Sequence, residues 1–153
     1  MKKRVYIYSI ICLIIDILTK LFMISKLPLG KSKVIIDKFF SFTMVHNTGG
    51  AFGIFSNNTI LLLIISVLFV VGFIYYIEKS KPGKLEEICY GMILSGIVGN
   101  MLDRLIRGYV IDFLDFKIFG YDYPVFNFAD IFIVVGVILL IIIYIKELIW
   151  KKD

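Results

Sequence analysis

Five of the chain's twelve acidic residues fall in one short stretch from Asn100 to Asp130. They are Asp103, Asp112, Asp115, Asp122 and Asp130, and apolar sequence flanks them on both sides. A carboxylate beside a hydrocarbon layer is costly unless it has a partner or a task. Two aspartates brought close together do not both ionise cheaply, so they share one proton. The ionised member can then take a proton from water while the protonated member hydrogen-bonds a carbonyl, which is hydrolysis by a carboxylate pair. A low dielectric strengthens that coupling. Asn100 and Asn127 stand in the same stretch as neutral donors and acceptors able to orient such a pair. Spacing alone does not choose the pair among the five acids.

Other chemistries are served less well. His46 is the only histidine and no HExxH motif is present, so a catalytic zinc site is not expected. Clustered Asp and Asn could hold a hard cation, but neither metal nor cofactor is expected. A Ser-His-Asp set does not build around one histidine in a glycine-rich segment. Ser25 and Lys26 are adjacent, but nothing marks them as a dyad. Cys12 and Cys89 lack metal-ligand spacing and read as small buried hydrophobes.

The elements that must position these acids are membrane helices. The chain has 153 residues, 59% of them hydrophobic, with a mean hydropathy of +0.92. That is more apolar than a soluble domain, and the expectation is one integral membrane domain with no internal repeat. The net charge of +5 does not point to nucleic acid. The basic residues sit at the ends of apolar runs, where they signal topology and contact anionic lipid. Four runs are long enough to cross a bilayer, which needs about 20 residues: about 5–22, 60–77, 88–105 and 131–150. The N-terminus imitates a secretory signal and Cys12 a lipid-attachment cysteine. Ile11 is too large for that cleavage site and the run continues to Phe22, so a retained first helix is expected.

Lys and Arg are densest at Lys2, Lys3 and Arg4, at Lys79, Lys81 and Lys84, and at Lys146, Lys151 and Lys152. That bias predicts both termini in the cytoplasm. Segments 23–59 and 106–130 then both face outward. Asp112 follows the outer end of the third helix and Asp130 opens the fourth from the same side, so the two return to one level of the membrane.

Pro28-Leu-Gly30 predicts a turn, and the β-formers between Val34 and Asn47 predict one or two short strands. Asn47-Thr-Gly49-Gly50-Ala51-Phe52-Gly53 allows tight turns or close backbone approach. Asn100, Asp103 and Arg104 share a face of the third helix, Asp103 and Arg107 are also four apart, and Asp103 with Arg104 reads as an ion-paired helix end. Gly108 is a natural stop. Val110 to Phe116 reads as extended, and Tyr121-Asp-Tyr123-Pro124 as a turn. Asn127 or Asp130 can cap the fourth helix. In the first helix Lys20 can pair with Asp16, which lies deeper and must face protein or water.

These blocks resemble signal peptidase II, the bacterial lipoprotein signal peptidase family. The matching pieces are Asp16-Ile-Leu-Thr19-Lys20, Asn47-Thr-Gly49-Gly-Ala51-Phe52, Gly99-Asn100-Met-Leu-Asp103-Arg104, Val110-Ile-Asp112-Phe113 and Phe126-Asn127-Phe-Ala129-Asp130. They follow the family's order across nearly the whole chain. One departure is Ser95, where the family usually has glycine. The resemblance implies four transmembrane helices with a small outer-face β-sheet and an interfacial helix. It implies a plasma-membrane aspartic endopeptidase that cuts diacylglyceryl-modified prolipoproteins just before the lipidated cysteine, working as a monomer. It also makes Asp112 and Asp130 the dyad, with Asp16, Lys20, Asn47, Gly49, Ala51, Phe52, Asn100, Asp103, Arg104, Asn127 and Ala129 at supporting or substrate-binding positions. Two competing classes are a small cation- or proton-coupled transporter using Asp16, Asp103 and Asp112, and a non-enzymatic factor that binds lipoproteins. A transporter would more often place its site at the midplane between repeats.

Overall fold

The computed structural model describes residues 2–50, 54–55 and 58–150. In chain order the elements are α1 (Lys2–Lys26), β1 (Ser32–Ile36), β2 (Phe40–Asn47), α2 (Thr59–Lys79), α3 (Lys84–Arg107), β3 (Val110–Ile118), β4 (Tyr121–Asp122) and α4 (Phe128–Trp150). All four helices are long and apolar enough to cross a membrane. Each overruns the apolar stretch that predicted it. The added turns of α1, α2 and α3 take in Lys2, Lys26, Lys79 and Lys84, and α4 starts earlier, at Phe128.

α3 is the hub, packing against α1, α2 and α4. It is the least apolar of the four and the most buried. Lipid tails are as apolar as leucine, so apolar surface gains little by leaving them. Helices meet instead through small residues and polar groups. α3 supplies both kinds. A Cβ at Gly99 would lie 2.5 Å from Asp16 Oδ2, and one at Gly96 would collide with the Ala129 carbonyl. Two neighbouring glycines therefore let α1 and the start of α4 approach α3 closely enough for their polar side chains to meet. Ser95, two residues before Ile97, is fully buried and donates to the Met92 carbonyl at 2.7 Å, so its hydroxyl is satisfied within its own helix.

The strands form one antiparallel sheet in the order β1-β2-β3-β4. β2 and β3 align Val45 with Asp112 and Asn47 with Val110. This pairing joins the segment after α1 to the segment after α3, so both lie at one end of the bundle, as the helix count requires. Met23 from α1 packs there against Met44, Ile111, Phe113 and Leu114 of the sheet. Val5, Ile77, Tyr90 and Leu94 hold the other end. Gly108 caps α3 in the left-handed region at φ 79°, its N–H bonded to the Arg104 carbonyl, and the chain turns directly into β3. The interfacial helix expected with the sheet would fall between β2 and α2. Residues 51–53 and 56–57 lie outside the described residues, and residues 54–55 form a turn.

Candidate active site

Side chains alternate along β3. Ile111 and Phe113 enter the core under the sheet, and Asp112 between them turns the other way, toward α3 and α4. It is buried. Asn47 Nδ2 donates to its Oδ2 at 2.8 Å, and Asn127 Nδ2 to its Oδ1 at 2.6 Å. The pairing of β2 with β3 brings Asn47 to this carboxylate.

Asp130 lies in the first turn of α4. The Asp130 N–H donates to Asn127 Oδ1 at 3.0 Å, and the Asn127 N–H to Asp130 Oδ2 at 3.1 Å. This is a reciprocal cap of the helix start. Asn100 Nδ2 donates to the remaining oxygen, Oδ1, at 2.8 Å. Asn127 therefore touches both acids, one through its amide nitrogen and the other through its cap. It also donates to Asn100 Oδ1 at 3.1 Å and to the Ile111 carbonyl at 3.3 Å.

Beneath these amides sits a buried cation. Lys20 Nζ is 2.8 Å from Asp16 Oδ2 and 2.9 Å from Asp103 Oδ2, and it donates to Asn100 Oδ1 at 3.1 Å. Lys20 and Asp16 are 3% and 1% exposed, so neither charge is relieved by water and each depends on the other. Asp16 Oδ1 also accepts the Ala129 N–H at 2.9 Å, which ties α1 to the start of α4. Asp103 accepts the Ile111 N–H at 3.3 Å and lies 3.7 Å from Arg107.

The expected ion pair of Asp103 with Arg104 is corrected here. Neighbouring helix positions do not face each other. Asp103 turns to Lys20 and Arg107. Arg104 Nη2 instead donates to the Gly49 carbonyl at 2.8 Å, and Nη1 to the Asn100 carbonyl at 3.3 Å. Its buried Nε has no hydrogen-bond partner among the described residues. The Gly49 N–H donates to Asn47 Oδ1 at 2.9 Å, so Gly49 joins the network through both its backbone groups. Ala51 and Phe52 lie outside the described residues. Asp115 and Asp122 are not drawn in. They line a separate depression beyond the sheet, where Thr43 donates to Asp115 and Lys117 pairs with Asp122 at 2.9 Å. His46 stacks on Tyr109, their centroids 3.7 Å apart. Burial, reinforced by the Arg107 charge, lowers its pKa.

Asn47, Asn100, Arg104, Asp112 and Asp130 line a cleft of about 360 Å³, closed on its other side by Tyr123, Phe126 and Val134. Burial raises the Asp112 pKa, and the neighbouring Asp130 charge raises it further. The amides of Asn47 and Asn127 pull it down, and the result is about 7. A carboxyl poised near neutrality beside a second carboxyl can hold a proton for a carbonyl while its partner takes one from water. Tyr123, Phe126 and Val134 were not legible as cleft residues. Tyr123-Pro124 reads in the sequence only as a turn, and no local pattern marks a side chain as facing a carboxylate on another element.

Residues 8–146 match the family model for signal peptidase (SPase) II. The chain belongs to the signal peptidase II family. Its members are aspartic peptidases of bacterial membranes that remove signal peptides from prolipoproteins. The lipoprotein signal peptidase of Clostridium novyi (strain NT) is 42% identical over 137 residues, covering 88% of this chain and 93% of that protein. The lipoprotein signal peptidase of Clostridium tetani (strain Massachusetts / E88) is 40% identical over 144 residues, covering 92% of each. A solved bacterial membrane enzyme structure superposes with a TM-score of 0.88 at 32% identity, covering 97% of this chain and 92% of that one.

Proposed function

We propose that Asp112 and Asp130 are the catalytic dyad of a lipoprotein signal peptidase. It cuts diacylglyceryl-modified prolipoproteins immediately before the lipidated cysteine. The observation that carries this reading is Asn127, which binds both carboxylates at the wall of one cleft. The ionised member of the pair takes a proton from water, and the resulting hydroxide attacks the scissile carbonyl carbon. The protonated member hydrogen-bonds the carbonyl oxygen and protonates it as the tetrahedral species forms. Collapse breaks the C–N bond: the proton taken from water passes to the leaving nitrogen, and a hydroxyl proton of the tetrahedral species returns to the carboxylate that had protonated the carbonyl oxygen. Asn47, Asn100 and Asn127 hold the two carboxylates in register. Asp16, Lys20, Asp103 and the Ala129 N–H brace them from below, and Arg104 fixes the Gly49 backbone at the mouth. Ala51 and Phe52 join as substrate contacts by the family match.

The active site faces outward and both termini are cytoplasmic, in keeping with the lysine-rich N-terminus and α2–α3 link. Action as a monomer is part of this reading. The test is cleavage in lipid vesicles of one precursor with and without its diacylglyceryl group. The expected product begins at the lipidated cysteine by mass, and the unmodified precursor is cut many-fold more slowly. Equal cleavage of both, or a cut elsewhere, would overturn the assignment.

A further inference from the structure

A second cavity, of about 500 Å³, meets the cleft at Asp130. Apart from that carboxylate its lining is apolar or aromatic. Phe116 and Ile118 of β3 form one wall, and Ile131 and Val135 of α4 the other. Phe126 closes the end between them. Its ring stacks on Phe116 at 5.7 Å with an interplanar angle of 16°, which joins it to the β3 wall. Tyr123, Phe126, Asp130 and Val134 line both cavities. One space, lined by Asn47, Asn100, Arg104 and the two acids, suits a peptide backbone. The other offers an extended chain no hydrogen-bonding partner beyond the rim.

We propose that the groove between the β3–β4 hairpin and α4 binds an alkyl chain of the diacylglyceryl group on the substrate cysteine. This rests on the peptidase reading. The bond cut lies directly before that cysteine, and one residue spans about 3.5 Å. The thioether therefore begins about one residue from the carboxylates, and its chains need an apolar path that starts there. The groove starts at Asp130. It is too narrow for the signal segment itself, because a helix with side chains is about 10 Å across and two turns of one outsize the cavity. A single hydrocarbon chain fits. The substrate then straddles Asp130, with peptide on the polar side and lipid on the apolar side. Removing the lipid removes half of the positioning.

The test uses the full-length protein in vesicles and precursors whose thioether-linked glycerol carries either long or two-carbon acyl chains. Val135 and Ile118 line the groove but not the cleft. Val135→Trp is expected to lower kcat/KM for the long-chain precursor by roughly tenfold, the size of effect seen when an apolar site is overfilled. It should leave the short-chain precursor unchanged. An equal loss on both precursors, or no loss on either, would overturn the proposal. A second measurement needs no variant. A long-chain precursor with a diazirine in its acyl chain should label wild-type peptides containing Phe116–Ile118 and Ile131–Val135. Labelling confined to α2 would overturn the groove assignment. Equal labelling of the groove by a diazirine phospholipid, undiminished by excess precursor, would show bilayer lipid as the occupant and overturn it too. Wild-type protein that cleaves no precursor while the acyl probe still labels the groove would fail the peptidase reading and not the lipid site.

Discussion

Asn127 is the residue on which the proposed chemistry turns. Its three side-chain contacts below 3.2 Å reach Asp112, Asn100 and the Asp130 N–H, so one amide sets the spacing of two acids from different elements. In the proposed dyad the pair shares one proton, and the deprotonated fraction grows as pH rises through the raised Asp112 pKa of about 7. The alkaline limb of kcat/KM is therefore expected near that pH, as a property of the coupled pair. Asn47 donates to the ionised form of Asp112 and so lowers its pKa. In Asn47→Ala that support is gone, and a pH–rate profile should show the alkaline limb displaced upward. A limb that moved down or stayed put would mean Asn47 does not set the proton. At this scale the sequence was only partly legible. The acids and asparagines stand out by their cost near lipid, and the resemblance named the pair. Asp103 misled because its neighbour Arg104 is close in sequence but points elsewhere on the helix. Of its two partners, Arg107 stands four residues on, within reach of a spacing rule, while Lys20 comes from a helix some 80 residues away, where no spacing rule reaches.

At the scale of elements, the close approach of α1, α3 and α4 is what makes a polar cluster tolerable inside a membrane protein. Gly99 is the measure of that approach. A side chain there meets Asp16 Oδ2, so Gly99→Val is expected to lower stability by about 1–3 kcal/mol and to disturb the Lys20 cluster. Gly72, on the lipid-facing side of α2, has nothing within 4 Å of a built Cβ. Gly72→Ala should leave stability unchanged or slightly improved. Thermal unfolding of the two variants in one detergent separates them, and equal Tm values would contradict the packing described. The helices and the two strands after α1 follow from run length and β-formers. The cap of α4 was legible as a choice between Asn127 and Asp130, and the structure uses both. The short β4 was not legible, because its two residues, Tyr121 and Asp122, carry the same turn chemistry as a plain loop. Nor was register. Pairing Val45 with Asp112 depends on an irregularity in β2 between Phe42 and Val45.

Across the described residues, most of the buried polar side chains gather where three helices and two strands converge, and much of the remaining helix surface is left to lipid. The lysine pattern predicts the orientation. In a chain with Cys12 and Cys89 replaced by alanine, Asp37→Cys should react with a membrane-impermeant maleimide on intact cells. Lys81→Cys should react only after permeabilisation, and the reverse pattern would invert the topology. Charge density and helix count predict a side of the membrane, and the labelling pattern is what decides it. The cleft's apolar wall was not legible, because it is assembled from Tyr123, Phe126 and Val134 only after the sheet has folded onto α4. The central claim is that Asp112 and Asp130 together cut the peptide bond. Its most direct test is the turnover of a diacylglyceryl precursor by Asp112→Asn and Asp130→Asn, each purified from membranes and matched to wild type in thermal stability. Both variants are predicted to lose activity by roughly a thousandfold or more; near wild-type turnover by either one would contradict the dyad.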